Sequence, residues 1–505
     1  MTKVPEILCA TALLLLTSLR LAAEPNLVPA VRSTAPDYFC TWNVQGFACG
    51  YSGASDQADM MVEANLFGTG ATQNWTGFYP AVRGDLTFLL DDACDFPIGG
   101  GHRSPVRGSV ELDAGRFPSF QGTPVERLTK LTNAVKARGW RDLGLWICNS
   151  RNRLPGKEQI DNDAYWSERL AWSQAAGIRS WKVDWGVGDR DKPLWKFAVT
   201  PRGRSVAPDV WIEFGRWGDM YRTYDVGLPV SISETVRRIG VFLQSDDAQD
   251  HRLINCEDEV YVGAALGCSY GVMRHPLTGN MPNGKPDGFF PANFRDVKRR
   301  MDEVTRAVRW HRIAQPFGKG DACAVDAAML TDYKARPAPA RIARGGLKLP
   351  KVAVPGGGGD VPFVLASHFP TGQVAIATQP RRLEVDGKPQ LVYPLADVVL
   401  EAGDLKRAVG VFGQYASLTL VTTGDLSGKH ILAQDLAGSE AVDITEQVSV
   451  EPGRVTIPGD VIARVGLMAA TPGDVSDPGM LVAVQGVTQF PPLPDMHPGK
   501  TSAAK

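Results

Sequence analysis

The sequence predicts an α/β protein: a (β/α)8 barrel followed by a C-terminal antiparallel β-sandwich. Three observations carry that expectation. The chain has 505 residues, too many for one core, since single cores stop growing near ~250–300 residues. From about 35 to 320, short apolar runs alternate with helical runs, the pattern of parallel strands joined by right-handed crossovers. Beyond a Pro/Gly-rich stretch at 334–362, short apolar strands follow one another with turn residues between them and no helical period.

The elements follow in chain order. The first 25 residues, MTKVPEILCATALLLLTSLRLAAEP, place one lysine before an apolar run that ends at small residues. The run is too short to span a bilayer, so residues 1–23 are expected to be a secretory signal and the mature protein periplasmic or extracellular. DYFCTWNVQG (37–46) and LTFLLDDACD (86–95) read as the first two strands. TPVERLTKLTNAVKARGW is the clearest helix. Thr123 and Glu126 form a capping box, Pro124 suits the first turn, and Leu128, Leu131 and Val135 form the apolar stripe that Gly139 ends. DLGLWICNS (142–150) is a strand, a helix spans about 163–176, and the fourth strand runs from Ile178 to Asp184. DVWIEF (209–214) and MYRTYDV (220–226) follow, with a connection too short for a normal helix. Ile232, Val236, Ile239 and Leu243 mark the next helix, RLINCEDEV (252–260) and YGVMRH (270–275) are strands, and the helix at 294–314 closes a barrel assigned to 35–320. The linker is expected at 334–362, the sandwich at 363–490 and a disordered tail at 491–505.

Composition limits the function. Apolar residues make up 44% and charged residues 22%, a globular balance. Net charge is −1 from 54 basic and 55 acidic residues, which gives no electrostatic case for nucleic acid or an anionic membrane surface. No segment beyond the leader is long and apolar enough to cross a membrane. The 12 tryptophans suit a protein that stacks flat ligands or sugar faces. Of the eight cysteines, Cys9 lies in the leader. The others form no CxxC, so no zinc site is expected, while Cys40 and Cys49 could pair after export. His251, His275 and His311 lack metal-ligand spacing and are expected to be structural. GGGHR (99–103) is a turn, and Asn74-Trp75-Thr76 is a glycosylation sequon by pattern.

In barrels of this kind chemistry sits at the C-terminal ends of the strands. There the sequence places Asp91 and Asp92, Lys182 and Asp184, Glu213, Arg222 and Asp225, and Glu257-Asp258-Glu259. Single acids at strand ends often cap the next helix. Carboxylates from five strands with cations between them are a different matter. Crowding and burial split their pKa values, which supplies an ionised nucleophile beside a protonated acid. Glycoside hydrolysis needs such a pair, and a separation near ~5 Å gives the retaining route.

These motifs resemble the clan of glycoside hydrolases that holds the family 27 and family 36 α-galactosidases. FLLDDACDFP is similar to the clan's double-Asp strand, AAGIRSWKVDWG to its nucleophile strand, YRTYDV to its acid/base strand, and INCEDEVYVGAALG sits where the clan has a DPDM loop. The resemblance implies Asp184 as nucleophile and Asp225 as acid/base, with Arg222 beside it. Lys182 would bind sugar hydroxyls and keep Asp184 ionised, Asp91 and Asp92 would hold outer hydroxyls, and Glu213 would touch a ring hydroxyl. Trp185, Trp42 and Trp146 complete the candidate substrate-binding set. Asp246, in QSDDAQD, is the alternative acid/base, disfavoured because it follows a helix and falls at the opposite face. The implied activity is that of a retaining, exo-acting α-glycosidase on an oligosaccharide or polysaccharide, most similar to α-galactosidases, with no cofactor or metal. Departures at Cys94 and at Glu257-Asp258-Glu259 leave two alternatives: the same mechanism on an arabinopyranoside or N-acetylgalactosaminide, or a non-catalytic carbohydrate-binding relative.

Overall fold

The computed structural model describes residues 25–101, 104, 106–149, 163–186, 194–215, 218–223, 232–244, 253–287, 297–318 and 322–498. Eight parallel strands form the barrel: β1 (Tyr38–Cys40), β2 (Thr87–Leu90), β3 (Asp142–Asn149), β4 (Ile178–Gly186), β5 (Trp211–Phe214), β6 (Met220–Arg222), β7 (Leu253–Asn255) and β8 (Gly271–Val272). Each pairs with its neighbour in sequence, and β8 pairs with β1. A parallel bridge between Asn255 and Ser269 brings β7 to β8 and completes the ring.

Alternation along the strands decides what faces the barrel axis. On β1, Tyr38 and Cys40 turn toward the polar interior. Phe39 turns outward and packs against Phe78, Phe88 and Trp140, with ring centroids 5.7–5.8 Å away. Helices cover the outside. α1 (Trp42–Cys49), α2 (Ala54–Asp59) and α3 (Glu63–Phe67) follow β1. α4 (Pro124–Ala137) has the expected capping box: Glu126 N donates to Thr123 Oγ1 at 3.4 Å and Thr123 N to Glu126 Oε2 at 2.8 Å. α5 (Asp163–Ala175), α6 (Leu194–Val206) and α7 (Ile232–Gln244) continue the ring, and α7 buries Ile232, Val236, Ile239 and Leu243 as its spacing predicts. α8 (Val260–Leu266) is buried along its whole length because it lies between barrel and sandwich. α9 (Met301–Trp310) buries Val304, Ala307, Val308 and Trp310.

The expected strand at 37–46 is shorter than predicted. The backbone turns helical at Thr41, and α1 occupies the rest. β5 and β6 are joined by residues 215–219 alone. Asp219 closes that connection: its N–H donates to Ile212 O at 2.8 Å and its carboxylate accepts from Ile212 N at 2.9 Å.

The second domain is a two-sheet β-sandwich. One sheet has eight strands, in spatial order Val442–Asp443, Ile431–Asp435, Gly479–Val484, Val409–Phe412, Val374–Gln379, Phe363–His368, Arg341–Arg344 and Ala324–Val325. The other has five: Lys351–Ala353, Asp397–Gly403, Ser417–Thr422, Arg454–Pro458 and Ser449–Glu451. Most pairs are antiparallel. Three are parallel: 341–344 with 363–368, 374–379 with 409–412, and 397–403 with 417–422. The stretch 334–362 is therefore no linker, since Arg341–Arg344 and Lys351–Ala353 each take a place in one sheet. Its alternating apolar residues Ile342 and Val352 are masked in the sequence by the surrounding prolines and glycines. Residues up to 498 are also tied down: Thr34 Oγ1 accepts from Met496 N at 3.0 Å, and Gln315 Nε2 donates to Pro494 O at 2.7 Å. The expected signal at 1–23 and residues 499–505 lie outside the described residues.

Barrel and sandwich share one apolar core, in which Trp310 packs edge-on against Phe369 and Phe412. A buried bidentate ion pair crosses the same junction, Arg306 Nε and Nη2 to Asp435 Oδ1 and Oδ2 at 2.8 and 3.0 Å. No helix among the described residues is long and apolar enough to cross a membrane.

Candidate active site

The register brings the candidate side chains to one end of the barrel. Trp146 on β3 pairs with Lys182 on β4, and Lys182 with Glu213 on β5. Asp184 lies two residues beyond Lys182, on the same face of β4. Arg222 ends β6, and Glu257 follows β7. On the other side, β2 runs into Asp91 and Asp92.

Two charge clusters occupy this end. The first is built on Lys182, which is fully buried. Its ammonium donates to Asp91 Oδ2 at 3.0 Å and lies 3.4 Å from Cys40 Sγ, while the Cys40 thiol donates to the same Asp91 oxygen at 3.1 Å. Burial alone would lower the Lys182 pKa. The fields of Asp91, Cys40 and Glu257 outweigh it and hold the ammonium well above its ordinary value. Burial, reinforced by Asp91, pushes the Cys40 thiol up, so it is a neutral donor rather than a nucleophile. The direct partner of Lys182 is thus Asp91, at the end of β2 on the far side of β3, not Asp184 two residues along its own strand. Asp91 is further fixed through its N–H, which donates to Thr41 Oγ1 at 2.9 Å.

The second cluster centres on Arg222. Asp184 receives Trp146 Nε1 at 3.1 Å on Oδ2 and Arg222 Nη2 at 3.4 Å on Oδ1. Arg222 Nε lies 3.7 Å from Glu257 Oε1 and 3.9 Å from Glu213 Oε1. Glu213 accepts from Tyr38 OH at 3.0 Å and from Asn255 Nδ2 at 2.8 Å. Desolvation opposes the charge on Arg222, but Asp184, Glu257 and Glu213 raise its pKa above the usual value. Burial raises Glu213, with Arg222 and Lys182 pulling back. Glu257 is pushed up to about 8, first by burial and then by Glu213 and Asp184, against the pull of Lys182 and Arg222.

Asp92 joins neither cluster. Arg107, from the loop after β2, donates through Nε to Asp92 Oδ1 at 2.7 Å, with Nη2 also on the carboxylate. The guanidinium carbon lies 5.6 Å from the Trp146 ring centroid, within cation–π range. Gly108 lets this loop approach β3. It sits at φ +77°, and a Cβ there would lie 2.4 Å from both N and O of Cys148. The Cys148 thiol donates to Arg107 O at 3.4 Å.

Of the predicted residues, the structure brings together Asp91, Lys182, Trp146, Asp184, Glu213 and Arg222, with Asp92 adjacent in sequence to Asp91. Trp42 opens α1, half-buried against Tyr38, Cys40, Leu89 and Met273. Asp225 and Asp246 lie outside the described residues, as does the side chain of Trp185. Sequence reasoning assigned no role to Tyr38, Arg107 or Asn255, counted Glu257 among the strand-end acids without giving it a function, and took Cys40 as a possible disulfide partner. Alternation along β1 pointed at Tyr38 and Cys40. Nothing local marks Arg107, whose partner is fifteen residues back in an irregular loop.

One minor expectation is corrected. Cys40 and Cys49 are free thiols: Cys40 faces Asp91, while Cys49, at the end of α1, donates to Gly46 O at 3.3 Å. Among the histidines, His311 is structural, its Nδ1 2.6 Å from Asp37 Oδ2 and its ring stacked on Tyr270. His275 is buried with neither ring nitrogen hydrogen-bonded among the described residues. Burial therefore holds it neutral. His251 lies outside the described residues.

A cavity of about 530 Å³ lies elsewhere, between Phe78 and Tyr79, the start of α9 and residues 469–474 of the sandwich. Its acids are committed to structure. Asp302 accepts from Thr471 N at 2.7 Å, and Asp474 Oδ2 caps α9 through Met301 N at 2.7 Å. No group of His, Cys, Asp and Glu among the described residues is arranged to hold a metal ion.

No family model matches the chain, and no curated protein matches it by sequence. Solved structures do. α-Galactosidase I from Mortierella vinacea is 10% identical with a TM-score of 0.38, over 90% of this chain and 99% of that one. The GH27 β-L-arabinopyranosidase from Geobacillus stearothermophilus is 10% identical with a TM-score of 0.39, over 89% and 96%. The α-galactosidase from Saccharomyces cerevisiae is 10% identical with a TM-score of 0.38, over 90% and 97%. At identities and TM-scores this low, the function rests on the site itself.

Proposed function

We propose that this chain is a retaining, exo-acting α-glycoside hydrolase of α-galactosidase-like type, exported to the periplasm or the extracellular space and acting on an oligosaccharide or polysaccharide. The observation that supports it most is Asp184. Its carboxylate stands at the C-terminal end of β4, held on one oxygen by the Trp146 N–H and on the other by Arg222. An adjacent cation favours the ionised form a nucleophile requires.

In this reading Asp184 attacks the anomeric carbon of the terminal sugar as Asp225 protonates the departing oxygen. Asp225 then takes a proton from water, and that water displaces Asp184 from the glycosyl-enzyme with net retention. The Asp91–Lys182 pair and the neighbouring Asp92 supply charged partners for sugar hydroxyls, and Trp42 and Trp185 supply flat faces. Two carboxylates suffice for this chemistry, so no cofactor is invoked.

The Arg107–Asp92 pair favours a second sugar over galactose as a sub-reading. An aspartate engaged on both oxygens by a guanidinium has less capacity left for a hydroxyl, so the hydroxyl pattern read there changes. Arabinopyranosides and N-acetylgalactosaminides are the substrates to try beside galactosides.

The test is hydrolysis of a panel of aryl α-glycosides by wild type, Asp184→Asn and Asp225→Asn, with the anomer of the first product read by NMR. Retention, with turnover lost in both variants, supports the proposal. Inversion, or full activity in Asp184→Asn, removes it. Glycan binding without turnover of any sugar replaces it with a non-catalytic carbohydrate-binding role.

A further inference from the structure

Glu257 is a buried carboxyl for which the mechanism above has no use. Among the described residues, and apart from the Asp92–Arg107 pair, four acids, Asp91, Asp184, Glu213 and Glu257, share this end of the barrel with two cations, Lys182 and Arg222. Asp91 takes Lys182. The other three surround Arg222, at 3.4, 3.9 and 3.7 Å for Asp184, Glu213 and Glu257. They are not equally equipped to be anions. Asp184 has the Trp146 N–H, and Glu213 has the Tyr38 hydroxyl and the Asn255 amide. Glu257 is 3% exposed, and neither of its oxygens accepts a hydrogen bond among the described residues. A buried carboxylate without donors is the costliest of the three to ionise.

We propose that Glu257 is a positioning residue that works as a neutral acid, leaving the Arg222 guanidinium to Asp184 and Glu213 and so holding the Asp184 carboxylate in place. The proposal rests on the reading of Asp184 as nucleophile. The charged and titratable groups around Glu257 are Lys182 and Asp184 on β4, Glu213 on β5, Arg222 on β6 and Tyr38 on β1. Once Glu257 ionises, three carboxylates share one guanidinium. The pull of Arg222 on Asp184 weakens, and the guanidinium no longer holds that carboxylate firmly in its position. The raised pKa of Glu257, about 8, places that change on the alkaline side.

Two measurements test it. Infrared difference spectra of the wild type between about pH 6 and about pH 10 read the C=O stretch of a neutral carboxylic acid, which ionisation removes. The expected C=O signal is present at the lower pH, lost at the higher, and smaller in Glu257→Gln, where Asp95, pushed up to about 7 by burial, still contributes its own band. A wild type with no such band, or a difference spectrum unchanged in Glu257→Gln, overturns the proposal. The second measurement is the pH profile of kcat/KM. Glu257→Gln mimics the neutral acid, so it is expected to stay within about threefold of wild type near pH 6 and to lose the ionisation near pH 8 from its alkaline limb. A loss beyond about tenfold near pH 6 in a folded variant, or an unchanged limb, overturns it. A wild type that turns over no glycoside removes the glycosidase reading instead, and the infrared band still decides whether Glu257 is neutral.

Discussion

Replacing Lys182 by methionine is the sharpest physical test of the site. Lys182 and Asp91 are 0% and 1% exposed along their side chains, and their charged atoms lie 3.0 Å apart. At an effective dielectric near ~20, two unit charges at that distance attract by about 5–6 kcal/mol. Desolvation of both ions offsets much of this, so the pair adds little net stability. Removing one partner is different, because the other charge stays buried. Lys182→Met leaves the Asp91 carboxylate with the Cys40 thiol and the Asp92 N–H, which donates at 2.9 Å, but with no cation on it. The expected cost is about 3–5 kcal/mol. Removing both charges in Lys182→Met/Asp91→Val is expected to recover all but about 1–2 kcal/mol of it.

The assay is equilibrium urea unfolding of the wild type, both single variants and the double variant, followed by tryptophan fluorescence. The barrel carries Trp146, Trp166 and Trp181 in buried positions as reporters. The double-mutant cycle is expected to return a coupling of about 2–3 kcal/mol or more. Additive single effects, or a Lys182→Met cost under about 1 kcal/mol, would refute the argument that this lysine serves Asp91.

Three other outcomes follow from the same geometry. Asp184→Asn is expected to lower kcat on the best aryl glycoside at least about 10³-fold with KM changed only a few-fold, because it removes bond formation rather than sugar binding. Glu257 has a pKa raised to about 8 in the fold, so the native state holds a proton the unfolded chain releases near pH 4. Its contribution to stability is full at low pH and is lost as pH rises through about 8. Melting temperatures at two pH values should show Glu257→Gln gaining on wild type on the alkaline side. Arg306→Met is expected to cost about 3–5 kcal/mol in urea unfolding, since it strands the Asp435 carboxylate at the barrel–sandwich junction with only the Ala437 and Ala469 N–H groups.

The eight barrel strands were legible because each is an apolar run between helix signals, and such runs survive whatever the neighbours do. Their ends were not. Residues 37–46 read as one strand because Trp42, Val44 and Phe47 continue the apolar texture, yet they form α1, whose buried face has similar composition. The sandwich was legible from its turn spacing, but its start was not. Prolines and glycines around Ile342 and Val352 mark a linker in sequence and turns between paired strands in space.

The candidate site divides along the same line. Which residues reach the barrel end follows from strand position and alternation, so Asp91, Lys182, Asp184, Glu213 and Arg222 could be named from the chain. Which of them pair is a property of the closed ring. Lys182 and Asp184 share a face of one strand and are the obvious couple in sequence. But residues i and i+2 on a strand stand side by side along it, ~6.6 Å apart at the usual rise, whereas inward side chains of strands two apart in a closed ring lean toward a common axis and can meet. The curvature of the ring therefore brings Lys182 past β3 to Asp91 and leaves Asp184 to Trp146 on the adjacent strand and to Arg222. The same geometry explains why Glu257 had no visible role: a third acid around one guanidinium gains its meaning from the two already there. The surroundings of Asp184 are therefore a matter of how many acids and cations the ring gathers at the strand ends, which the motif around it in sequence does not display.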